Sequence, residues 1–174
     1  MLAGTGSRIV AMPVVMALLL NRSYTAAAIV FAAVASTDFI DGRLARRLGV
    51  TSALGSFLDT TADKLLVTGT AIALVAVARA SPWLAMVIVA RELCLLGLRA
   101  AVAAQGSQVM EASLLGKWKA TIQFIAFTLV MLRPEVRFGG AFLDQWALAL
   151  AALVTVWSGV DYFVRFASTL RARG

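Results

Sequence analysis

The sequence holds no histidine and a single cysteine, Cys94, in 174 residues. Without imidazole the usual general base and the commonest zinc ligand are missing. One thiol excludes an intramolecular disulfide or a cysteine-built metal cluster. Acids are scarce as well, nine against sixteen Lys and Arg, and there are only three prolines. Proton transfer in this chain must use carboxylates, lysine or water.

Apolar side chains are abundant instead. They make up 61% of the residues against 14% charged, and the mean hydropathy of +0.88 is too high for an ordinary soluble domain. Long apolar runs occupy residues 25–37, 65–78, 82–90, 120–132 and 141–160. Several need their flanks to reach the roughly 20 residues of a spanning helix, so polar groups are expected inside the helices. An all-α polytopic membrane protein follows, with six transmembrane helices near 8–21, 25–46, 55–78, 82–104, 114–132 and 141–166. Continuous stretches such as AAAIVFAAVAST lack the alternation of barrel strands. The first span is short and carries Pro13. No basic segment precedes it and no cleavage site follows, so a retained helix is expected rather than a signal peptide.

No low-complexity linker or repeat divides residues 1–174, which reads as one domain. The net charge of +7 would suit a nucleic-acid partner in a soluble protein. In a membrane chain it speaks to orientation, and no nucleic acid is expected. With the N-terminus cytoplasmic, Arg8, Arg43, Arg46, Arg47, Lys117, Lys119, Arg165, Arg171 and Arg173 gather inside, against Arg22, Arg79, Arg133 and Arg137 outside. Both termini are therefore placed on the cytoplasmic side of a cell membrane, where the surplus also suits anionic lipid headgroups.

Four of the nine acids lie within residues 38–63. On a helix, Asp38, Asp41, Gly42 and Ala45 share one face, and Asp59 and Asp63 share a face of the next helix with Gly55 one turn earlier. Two carboxylate pairs on consecutive helices can face each other. Inside a membrane such a group repels itself unless cations or protons neutralise it. All-oxygen ligands suit Mg²⁺ or Mn²⁺, and four carboxylates can hold two ions around a phosphoryl group. The small residues leave room for a ligand, and Arg46 offers a fork to phosphate oxygens. Taken singly, the small residues could be packing contacts and the arginines orientation anchors; the set together points to a site.

The segment from Asp38 to Asp63 has the pattern D-x-x-D-G-x-x-A-R-x8-G-x3-D-x3-D at every fixed position. In this the chain resembles the CDP-alcohol phosphotransferases. The resemblance implies that Asp38, Asp41 and Asp59 bind metal, that Asp63 binds metal and is the general base, and that Gly42, Ala45, Arg46 and Gly55 line the CDP site. Further segments, A-R-E-L-C-L-L-G-L-R at 90–99 and L-G-K-W-K-A-T-I-Q at 115–123, are similar to the branch that moves a phosphatidyl group from CDP-diacylglycerol to glycerol 3-phosphate. A homodimer in lipid is implied too. Two departures stand out: Thr60 replaces the proline common in the third-helix motif, and only four residues precede the Thr5 and Arg8 of the first helix.

A phosphorylated acceptor needs cations near the metals. Arg91, Arg99 and Lys117 are the candidates, because arginine interrupting an apolar run is expensive. Arg91 and Arg99 lie about 80° apart around their helix, and a plainer role for both is charge pairing with Glu92, which lies almost on the face of Arg99. Lys117 and Lys119 point about 200° apart, so one of them should face the site. Asp161 and Arg165 read as a structural i, i+4 ion pair, and the four tryptophans as interface or lipid contacts. Other acceptors, inositol phosphate, serine or phosphatidylglycerol, fit the same signature. A cation- or proton-coupled transporter would explain the acids but not Gly42, Ala45, Arg46 and Gly55.

Overall fold

The computed structural model describes residues 2–48, 53–104 and 114–171; of these, the side chains at 2–5, 37–48, 53–54, 56–57, 103–104, 114–117 and 167–171 lie outside the description. Six helices carry the chain: α1 (Leu2–Leu20), α2 (Tyr24–Leu48), α3 (Ala53–Ala76), α4 (Pro82–Ala104), α5 (Leu114–Leu132) and α6 (Leu143–Arg171). The bounds of α2 to α5 lie within two residues of the expected spans, whereas α1 begins six residues earlier than expected and runs through Pro13, and α6 ends five residues later.

The breaks between helices are written in local chemistry. Arg22 takes the left-handed conformation (φ 58°), with its N–H bonded to Leu19 O and the Ser23 N–H bonded to Leu18 O, which ends α1 and satisfies its last carbonyls. Ser23 then opens α2, its carbonyl accepting from the Ala27 N–H. Ala78 (φ 54°) and Arg79 close α3 in the same way. Ser81 precedes Pro82 at the first position of α4, where a missing N–H costs nothing. The turn signals at 134–140 resolve as a two-stranded hairpin, β1 (Arg137–Phe138) and β2 (Ala141–Phe142), a small β addition to the expected all-α fold. Gly139 and Gly140, both at positive φ, form its turn.

α1 packs on α2 and α3, α5 on α2 and α6, and α4 on α3 and α6. The core takes Val15 and Leu19 from α1, Leu66 and Leu74 from α3, Ile88 from α4 and Met131 from α5. Phe31 of α2 meets Phe124 and Phe127 of α5 with ring centroids 5.4 and 6.1 Å apart. The outer surface is apolar too, with Ile9, Val10, Ile72, Met86, Leu153 and Val164 exposed alongside all four tryptophans. Among the described residues, Leu143–Phe166 is long and apolar enough by itself to cross a membrane; Gly6–Leu20, Tyr24–Ser36 and Trp118–Leu132 are apolar but shorter.

Arg79 ties one end of the bundle. Its guanidinium lies 3.4 Å from the centroid of the Tyr24 ring and donates to Met131 O at 2.6 Å, capping the C-terminus of α5. The acids of α3 lie toward the other end.

Candidate active site

Asp59 and Asp63 stand one turn apart on α3, and each carboxylate is met by a cation. Arg8 of α1 donates from Nη1 to Asp59 Oδ1 at 2.8 Å and to Asp59 O at 3.3 Å. Lys64 donates to Asp63 Oδ2 at 3.0 Å, and its ammonium is also 2.8 Å from Glu92 Oε2 on α4. Glu92 is wholly buried (0% exposed) and takes two further cations, the buried Lys119 of α5 and, at 3.4 Å, Arg91 Nη1. Arg91 in turn donates from Nη2 to Ser158 Oγ of α6 at 2.7 Å. A continuous polar seam thus runs from Asp63 through Lys64 and Glu92 to Lys119 and Ser158, crossing four helices.

Of the expected site residues the seam holds Asp63 and Arg91. Asp59, Asp63 and the half-buried Gly55 lie on α3 as the spacing requires. Asp38, Asp41, Gly42, Ala45 and Arg46 lie on the second half of α2, and Lys117 on the first turn of α5, but their side chains are outside the described residues. No group of three possible metal ligands occurs among the described residues.

The plainer role holds for Arg91: Glu92 pairs with Arg91, Lys64 and Lys119, and no pair with Arg99 forms among the described residues. Seven residues along a helix put about 10 Å between Cα atoms, and nearer partners on neighbouring helices win. Arg99 instead lies 5.3 Å from the centroid of the Tyr162 ring on α6. Lys119 of α5 reaches the seam; the Lys117 side chain lies outside the described residues. The Asp161–Arg165 pair forms at 3.0 Å. Lys64 and Ser158 escaped the sequence reading. For Lys64 a signal existed: it is a lone cation at the start of the 65–78 apolar run, where an unpaired charge is expensive.

The electrostatics favour an anion. Across Asp63, Lys64, Arg91, Glu92 and Lys119, three cations face two carboxylates. Among the described residues Arg91 Nε, Arg99 Nε and Gln123 Nε2 are buried donors without an acceptor, and such groups are costly to leave unmet. Asp59 and Asp63 fit a hard cation by their chemistry: two carboxylates on one helix face, both drawn onto positive groups, with no sulfur or imidazole beside them. They would be half of the donor set, with Asp38 and Asp41 the other half.

Residues 3–157 match the family described as CDP-alcohol phosphatidyltransferase, and the chain belongs to that family. It is 40% identical over 143 residues to a Bacillus subtilis (strain 168) protein named CDP-diacylglycerol–glycerol-3-phosphate 3-phosphatidyltransferase, covering 81% of this chain and 73% of the relative. A protein of the same name from Escherichia coli (strain K12) is 38% identical over 146 residues, 79% of this chain and 76% of the relative. A cardiolipin synthase (CMP-forming) of Oryza sativa subsp. japonica is 37% identical over 120 residues, 62% of this chain and 36% of the relative.

Proposed function

We propose that the protein transfers a phosphatidyl group from CDP-diacylglycerol to glycerol 3-phosphate, giving phosphatidylglycerol phosphate and CMP. The observation that carries this reading is the seam itself: the acid pair of the family signature stands directly beside a cluster of cations that suits a phosphorylated acceptor. The names of the bacterial relatives support the same substrates.

In the reaction, the 1-hydroxyl oxygen of glycerol 3-phosphate forms a bond to the phosphorus that bears diacylglycerol. The bond from that phosphorus to the CMP oxygen breaks, and the hydroxyl proton passes to the Asp63 carboxylate. Two Mg²⁺ or Mn²⁺ ions, held by Asp38, Asp41, Asp59 and Asp63, would supply charge neutralisation for the pyrophosphate and the leaving CMP. Gly42, Ala45, Arg46 and Gly55 would admit and grip the CDP group. Arg91 and Lys64 meet the acceptor phosphate, with Arg99 and Lys117 as further cations of that pocket. Lys64 holds one Asp63 oxygen at 3.0 Å and so fixes the direction in which the base faces. Positioning and fixed charge do most of the work in such transfers.

We read residues 1–174 as one domain with all six helices spanning the inner (cytoplasmic) membrane, both termini and the site cytoplasmic, and two copies forming a homodimer. The exposed apolar side chains on the helices support immersion in lipid. Purified protein with CDP-diacylglycerol, Mg²⁺ and a panel of labelled acceptors tests the function. Incorporation of glycerol 3-phosphate is expected; labelling by serine, inositol phosphate or phosphatidylglycerol in its place would overturn it.

A further inference from the structure

Glu92 has no exposed surface, and Lys119 beside it is 3% exposed, so neither is placed to grip a substrate from solution. The other two cations on Glu92 differ: Lys64 and Arg91 keep 21% and 15% of their side chains exposed. Each of these is held from two sides. Lys64 Nζ lies 3.0 Å from Asp63 Oδ2 and 2.8 Å from Glu92 Oε2. Arg91 is tied to Glu92 at 3.4 Å and to Ser158 at 2.7 Å, and its stem runs so close over Gly159 that a Cβ there would sit 3.3 Å from Arg91 Cγ. Three cations this close repel one another unless a buried anion holds them, and Glu92 stands where all three meet.

We propose that Glu92 is a positioning residue of the acceptor site: it holds Lys64 and Arg91 side by side next to Asp63, so that a phosphate-bearing alcohol is bound with its hydroxyl at the base. The inference rests on the glycerol 3-phosphate reading given above. It makes Glu92, through Lys64 and Arg91, a determinant of acceptor affinity above all. Lys119, on the buried side, balances the charge of Glu92.

The test is steady-state CMP release by the full chain in mixed micelles, varying one substrate at saturating levels of the other. Glu92→Gln weakens the hold on Lys64 and Arg91. Losing one charge-assisted contact to the phosphate corresponds to roughly a 10- to 100-fold rise in KM for glycerol 3-phosphate. KM for CDP-diacylglycerol should stay within about twofold, and Glu92→Asp should recover most of the loss, since it keeps the charge. Lys64→Gln, at a partly exposed position, should give the same split, and it decides the matter if Glu92→Gln does not fold. Equal rises in both KM values, or an unchanged KM for glycerol 3-phosphate in Lys64→Gln, would overturn the proposal. Wild-type protein that releases CMP with an unphosphorylated alcohol and not with glycerol 3-phosphate would instead remove the underlying reading and this inference with it.

Discussion

Replacing Lys119 by methionine removes one cation from a carboxylate that has three, whereas replacing Glu92 by glutamine removes the single anion that those cations share. The two changes should therefore differ in size. In Lys119→Met, Glu92 still meets Lys64 at 2.8 Å and Arg91 at 3.4 Å, and the apolar side chain fills the buried space of the lysine stem. One lost hydrogen bond to a charged group costs about 1.5–3 kcal/mol. In Glu92→Gln the buried Lys119 and the largely buried Arg91 lose their counter-charge together, and breaking a buried pair in this way costs about 3–5 kcal/mol. The double variant leaves neither buried charge of the closest pair. Exchanging a whole buried pair for neutral groups is often close to neutral, so it should be more stable than Glu92→Gln alone. Thermal unfolding of the purified protein, followed by tryptophan fluorescence, reads this out at about 2–4 °C per kcal/mol for a chain of this size. The expected order of midpoints is wild type, Lys119→Met, then Glu92→Gln lowest, with the double variant above Glu92→Gln. A double variant whose loss equals the sum of the two single losses would refute the coupling and with it the role of Glu92 as the shared anion.

Further outcomes follow from other parts of the bundle. A Cβ at Gly69 would lie 2.8 Å from Met12 Cγ and 3.1 Å from Met12 Sδ, so Gly69→Val should overpack the α1–α3 contact by about 1–3 kcal/mol; adding Met12→Ala should recover part of the loss in thermal midpoint. Arg79→Met removes the 2.6 Å cap on Met131 O and the stacking on Tyr24, at the end of the bundle away from the acids. It should lower the midpoint by the worth of one charge-assisted bond, about 1.5–3 kcal/mol, while both KM values stay as in wild type. Chelation with EDTA should abolish CMP release and added Mg²⁺ or Mn²⁺ should restore it; activity that survives chelation would remove the carboxylates as metal ligands. Asp63→Asn retaining full turnover would remove Asp63 as the base.

Much of the fold is legible in the sequence because continuous apolar runs of this length read as helices, and their breaks carry the turn chemistry at Ser23, Ser81 and Pro82. The stops at Arg22 and Ala78 are less visible, since left-handed residues there are not glycine and their conformation is set by the closing hydrogen bonds. The acid pair Asp59 and Asp63 is equally plain, because i, i+4 spacing places two side chains on one face whatever surrounds the helix.

Partnership across helices is another matter. Spacing along the chain offered Glu92 to both Arg91 and Arg99, but Arg99 lies two turns away along the helix, and the bundle adds Lys64 and Lys119 from neighbouring helices to Arg91. The same holds for Arg8, read from the chain as an orientation anchor and found buried against Asp59. Periodicity by itself determined which residues are helical and which share a face; only the packing of α3, α4, α5 and α6 decided which charges meet. Pairing energy depends on distances of 3 to 4 Å between side chains that are tens of residues apart, and no local pattern encodes those distances.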